Sequence, residues 1–155
     1  MDDKKSEYLT LGKIQASVTL TEREQENLTV VHKLITALSK GNLQEIGTYL
    51  TDDAEFKGCV PEEIPFGGTF QGKEGGIEYF RRLRDTYEMQ WEEHDCTVSQ
   101  GDFILIFGRE RTRVMPSGKI LEAEFAASFA FRDGKIFKFC ALTDSAALVK
   151  AYRGE

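Results

Sequence analysis

Two histidines and a scatter of carboxylates are the side chains best suited to move a proton near neutral pH. His32 lies at one edge of an apolar helical arc, next to Leu28 and Ile35. An imidazole there is either a half-buried group with one structural hydrogen bond or an acid/base lining a pocket. Asp144 precedes Ser145-Ala146-Ala147, so it is either the cap of a terminal helix or a carboxylate at a pocket. His32 and Asp144 are the candidate catalytic pair. If they meet, the carboxylate favours the imidazolium while burial opposes it. His94 stands among Glu92, Glu93 and Asp95 and reads as exposed. Two histidines without ligand spacing predict no metal site.

Gly67-Gly68-Thr69-Phe70-Gln71-Gly72-Lys73-Glu74 nearly spells a phosphate-cradling loop. It fails at Glu74, where magnesium binding needs a hydroxyl and a carboxylate would repel phosphate. The segment reads instead as a glycine-rich loop entering a helix. Arg81, Arg82 and Arg84 alternate with Glu78, Asp85 and Glu88, the pattern of a solvated mixed-charge face rather than a phosphate patch. Cys59, Cys96 and Cys140 have no C-x-x-C spacing and read as reduced thiols.

The elements that must position these groups can be read from period and punctuation. The 155 residues suffice for one domain with a real core. A net charge of −6 argues against non-specific nucleic-acid binding and against docking on anionic lipid. No apolar run approaches the ~20 residues of a membrane span, and Met1-Asp2-Asp3-Lys4-Lys5 opens no signal peptide. The expected location is the cytoplasm. Residues 1–20 read as an N-terminal extension, a mobile start followed by an extended segment. Residues 21–155 read as a single domain.

Thr21 and Glu24 form a capping box ahead of Leu28, Val31, Leu34, Ile35 and Leu38, and Gly41 closes that helix. Asn42 and Glu45 open a second helix with Leu43, Ile46 and Leu50 inward, stopped by Thr51-Asp52-Asp53. A short strand over Ala54–Lys57 and a loop over 58–72 follow, then a helix over Lys73–Tyr87. Four strands come next: Trp91–Ser99, Phe103–Val114, Lys119–Arg132 and Lys135–Thr143. Asp133-Gly134 is the strongest hairpin signal among them. Helices first and a meander second make an α+β chain.

Long antiparallel strands coil, so three helices covering the concave face leave a cone with a pocket. Alternation puts Ala123, Phe125, Ala127 and Phe129 on one face, and Phe125 and Ala127 are read as ligand-lining. Tyr49, Phe66 and Trp91 are expected near the cone mouth, with core packing as the alternative. Arg109, Arg111 and Arg113 share one face, Glu110 and Thr112 the other. The arginine row predicts a homodimer associating through the sheet.

Ala37-Leu38-Ser39-Lys40-Gly41-Asn42-Leu43 and Leu50-Thr51-Asp52-Asp53-Ala54 carry a resemblance. Gly72-Lys73-Glu74-Gly75, Asp133-Gly134-Lys135-Ile136 and Thr143-Asp144-Ser145-Ala146-Ala147-Leu148 extend it. In this order they resemble the SnoaL-like and ketosteroid-isomerase-like branch of the nuclear transport factor 2-like superfamily, over about Glu22 to Tyr152. The resemblance implies a cystatin-like curved-sheet cone, commonly dimeric, with activities from isomerase, cyclase and dehydratase to non-catalytic binding. Anchored on those blocks, the ketosteroid isomerase tyrosine falls on Leu34, its base on Gly58 and its second aspartate on Ala127. None of these moves a proton, so ketosteroid isomerisation is not expected. The function expected is binding of a small hydrophobic molecule, with or without cofactor-independent isomerase, cyclase or dehydratase chemistry. The rival is a non-catalytic interaction or dimerisation module.

Overall fold

The computed structural model describes residues 19–155, with the backbone of Thr10–Leu11 (β1) and Ile14–Gln15 (β2), which pair antiparallel. The N-terminal extension expected over 1–20 otherwise lies outside the described residues.

Helix α1 spans Glu22–Lys40. Its capping box is present: the Glu24 N–H donates to the Thr21 hydroxyl at 3.2 Å, and the Thr21 N–H donates to Glu24 Oε2 at 2.8 Å. The buried arc is Asn27, Leu28, Val31, Leu34 and Ala37, and Gly41 closes the helix in the left-handed region. Helix α2, Leu43–Gly47, is capped by Asn42 through the Glu45 N–H. It ends earlier than the spacing predicts, and strand β3 is longer, Leu50–Gly58. Leu50, Ala54 and Phe56 are all fully buried. The acidic pair Asp52-Asp53 sits in the irregular part of the strand, where its register against β8 shifts.

The stretch expected as loop contains β4, Gly68–Gln71, an edge strand antiparallel to β3. Then come α3 (Gly72–Thr86), β5 (Tyr87–Gln100), β6 (Phe103–Val114), β7 (Lys119–Arg132), β8 (Lys135–Thr143) and α4 (Ser145–Arg153). The three strands after β5 fall where their turn residues predict. Asp133 and Gly134 have φ of 50° and 77°, two successive left-handed residues that match the twist of a tight hairpin.

The six strands lie in the order β4-β3-β8-β7-β6-β5, parallel only between β3 and β8. The meander thus carries the β3–β4 hairpin on its β8 edge. Helix α3 returns across the concave face, and its Tyr79 and Phe80 close an aromatic cluster with Phe56 and Phe139. Ring centroids there are 5.1 Å apart for Tyr79–Phe80 and 5.2 Å for Phe56–Phe139. Side chains of this size contribute about 1.5–3 kcal/mol each on burial, which fixes α3 to β3 and β8. No helix of the described residues is long and apolar enough to cross a membrane.

Candidate functional site

Between α1, α3 and the strands lies a cavity of about 1000 Å³. Its walls are mainly apolar: Phe66, Phe80, Ile106, Phe125, Phe129 and Phe139 all face it. Leu34, Gly58 and Ala127 line it too. These are the three positions that the resemblance assigns to the tyrosine, base and second aspartate of ketosteroid isomerases. Gly58 could not carry the base as it stands, because a Cβ there would lie 2.0 Å from the Phe66 carbonyl oxygen.

The polar chemistry of the cavity comes from β5 and β6. Strand β6 alternates without interruption against β7, so Glu110 shares the inner face with Ile104 and Ile106. It is 6% exposed and lines the cavity. Burial, and then the charge of Glu92 directly across the strand pair, raise its carboxyl from an ordinary 4.5 to about 7. No hydrogen bond contributes to that shift. Tyr87, 7% exposed, also lines the cavity, and its hydroxyl is buried with no hydrogen-bond partner among the described residues. Burial, reinforced by Glu110, pushes this phenol far above its ordinary range, so it stays protonated and keeps a hydrogen to donate.

Strand β5 explains where the sequence reading misplaced side chains. Its pairing with β6 slips between Met89 and Trp91, a bulge at Gln90. One extra residue exchanges inner and outer faces. Trp91, expected at the cone mouth, therefore stands opposite Arg111 on the outer face, 40% exposed. Glu92 and His94 fall on the opposite side, where both line the cavity while remaining exposed, as His94 was expected to be. His94 Nε2 lies 2.6 Å from Glu92 Oε1, and the ring meets the edge of Phe125 at 6.1 Å between centroids.

The candidate pair His32 and Asp144 does not assemble. His32 is exposed on α1, because it lies ~100° past Val31 and outside the buried arc. Asp144 is exposed and accepts from the Ala147 N–H at 3.0 Å, the capping role that its sequence context allowed. Neither lines the cavity. Tyr49 does not line it either; its hydroxyl donates back to Glu45 Oε1 of α2 at 2.9 Å. Phe66, Phe125 and Ala127 stand in the cavity wall as expected. Glu110 was legible from strand parity, since it is a carboxylate in the same register as the apolar β6 positions. Tyr87, the end of the helix expected over Lys73–Tyr87, is buried but opens β5 instead, and the Glu92–His94 contact was hidden by the bulge.

A second hollow, about 410 Å³, lies between α3 and Met115-Pro116. Its Arg81 and Arg82 are both bonded to Glu78, at 2.6 and 2.7 Å, and hold that carboxyl down to about 2. The arginines are thus neutralised within their own helix, the mixed-charge face that the spacing predicts. Among the described residues no group of three or more His, Cys, Asp and Glu side chains could hold a metal ion.

A family model described as the SnoaL-like domain matches residues 31–139. Among solved structures, a nuclear transport factor 2-like protein from Burkholderia xenovorans LB400 is 22% identical. The match covers 83% of this chain and 96% of that one, with a TM-score of 0.75. A protein from Jannaschia sp. CCS1, provisionally described as a SnoaL-like polyketide cyclase, is 15% identical over 89% of this chain and 99% of that one, with a TM-score of 0.75. TerC, co-crystallised with polyporic acid, is 20% identical over 83% and 98%, with a TM-score of 0.70. At these identities the likeness is one of fold. No curated protein matches the sequence.

Proposed function

Because this chain belongs to the SnoaL-like domain family, we propose that it binds a small, largely apolar molecule in its cone and moves a proton on it with Glu110, without a cofactor. The observation that carries this reading is the carboxyl of Glu110, buried against an apolar cavity with its ionisation raised to about 7. Such a group is populated in both protonation states near neutral pH, which is what a general base that must later act as an acid requires. The ionised form takes a proton from a carbon beside a carbonyl. Tyr87 lines the same cavity, and its buried hydroxyl, without a partner among the described residues, is the donor proposed for the oxygen on which charge develops. Protonated Glu110 then returns its proton at another atom, the outcome of an isomerisation or cyclisation. The Glu92–His94 pair offers a route for protons to solvent. This chemistry uses none of the ketosteroid isomerase positions.

The test is α-proton exchange of 2-tetralone, an apolar bicyclic ketone, in deuterated buffer. Saturable exchange faster than buffer alone supports the reading. A probe that binds, as seen by its NMR line broadening, yet exchanges no faster than in buffer contradicts it.

We also propose that two copies pair through the outer sheet face, on a different basis from the arginine row. Arg109 is engaged by Glu93 and Asp95 at 2.7 and 2.9 Å, Arg111 by Glu122, and Arg113 by Glu88 at 3.9 Å. These charges are matched within one sheet. On the same face of β6, Phe103, Leu105 and Phe107 are 45%, 38% and 42% exposed, an apolar run that association would cover. Sedimentation equilibrium is expected to give twice the 17.5 kDa chain mass at micromolar concentration. Phe107→Glu is expected to shift it to the monomer. A wild-type monomer would overturn the proposal.

A further inference from the structure

We propose that Cys59 and Cys140 form a reversible disulfide when the protein meets a small hydroperoxide, making the back of the cavity wall a redox modification site. The two residues are 81 positions apart, yet their Sγ atoms lie 3.1 Å from each other. That is inside ordinary sulfur–sulfur contact, so only a short movement separates the pair from a bond. The sheet produces this meeting. Strands β3 and β8 run parallel with Gly58 opposite Ala141, and the Cys59 N–H donates to the Ala141 carbonyl at 2.9 Å. Both thiols are half-buried, which leaves them within reach of a small oxidant. Their flanking residues, Gly58 and Val60 on one side and Phe139 and Ala141 on the other, line the cavity. The bond would therefore tie together two walls of the site from behind.

The two sulfurs have different roles. Burial, and then the hydrogen bond and charge of Cys59, push the Cys140 thiol up to about 11. We take Cys59 as the sulfur oxidised first, with the Cys140→Ser variant as its test. Its thiolate attacks one oxygen of the peroxide, the O–O bond breaks, and the leaving hydroxide takes a proton to become water. Cys59 is now a sulfenic acid, oxidised by two electrons. It is also neutral, so the charge that opposed ionisation of Cys140 has gone. The Cys140 thiolate attacks the Cys59 sulfur, the S–O bond breaks, and a second water leaves as the S–S bond forms. Two thiols and one hydrogen peroxide thus give one disulfide and two waters. Cys96 is on β5, three strands from β8 in the sheet, roughly 14 Å away at the usual strand spacing, and takes no part.

The experiment treats the full chain with hydrogen peroxide, blocks the remaining thiols with N-ethylmaleimide and maps the peptides by mass. Expected is a monomeric chain lighter by two hydrogens, with the Cys59 and Cys140 peptides linked, Cys96 alkylated, and all three thiols recovered after dithiothreitol. In Cys140→Ser the oxidation is expected to stop at a Cys59 sulfenic acid that dimedone traps. Separate sulfinic acids at the two positions, linkage through Cys96, or three thiols that alkylate as before would each overturn the proposal.

Discussion

Glu110→Gln is expected to slow 2-tetralone exchange by about 10²–10⁴-fold, the range that a positioned acid/base contributes. Binding of the probe should change little. Glutamine has the same shape and can still meet a ligand in the cavity, but it cannot take a proton from carbon. The alternatives predict otherwise. If the cavity only binds, wild type and variant exchange at the same rate. If the carboxyl acts only by packing, Glu110→Gln, which keeps its shape, would exchange as wild type does, and only the shorter Glu110→Asp would lose exchange. A shorter carboxylate instead should keep part of the exchange, since it keeps the base at some cost in position.

The same substitution should change how stability depends on pH, and this needs no ligand. In the unfolded chain Glu110 releases its proton near 4.5; in the fold it does so near 7. Between those values the folded state holds more protons than the unfolded one, so stability falls as pH rises. Above about 7 the loss is complete and the curve levels. The shift corresponds to about 3 kcal/mol at 1.36 kcal/mol per unit. Denaturant unfolding of wild type and Glu110→Gln at about pH 5 and about pH 8 should therefore show wild type losing most of this, about 2.5 kcal/mol, relative to the variant across that window. A difference between the two proteins that stays constant with pH would contradict the burial of a charge at this site. Because the variant is expected to be the more stable protein at pH 8, any loss of exchange there cannot come from unfolding.

Local chemistry made much of this fold readable, and tertiary pairing hid the rest. The capping box of Thr21 and Glu24, the Asn42 cap and the Asp133-Gly134 turn act within a few residues, so their sequence signatures and their structures coincide. Strand β4 was hidden because the connection from β3, residues 59–67, carries prolines and a glycine rather than a tight-turn signature. The parallel contact of β3 with β8 has no local signature at all. In the site, the inner position of Phe125 and Ala127 followed from simple alternation, because β7 runs against β6 without a slip. Trp91 was moved to the outer face by one extra residue at Gln90, while His94 is exposed, as its acidic neighbours suggest, and also lines the cavity. His32 looked inward from its neighbours Leu28 and Ile35, but the arc that α1 buries is centred on the other side of Val31. Glu110 was visible as a member of the inner register before its importance was. What raises its pKa is its burial in the fold, and then the charge of Glu92 across the strand pair.

The central claim rests on one carboxyl, and its titration tests it most directly. Carbon-detected NMR of the side-chain carboxyls, with Glu110→Gln to assign the signal, should give a midpoint near 7 for Glu110. A midpoint at the ordinary 4.5 would mean that the group is solvated, and that no acid/base poised for neutral pH stands in this cavity.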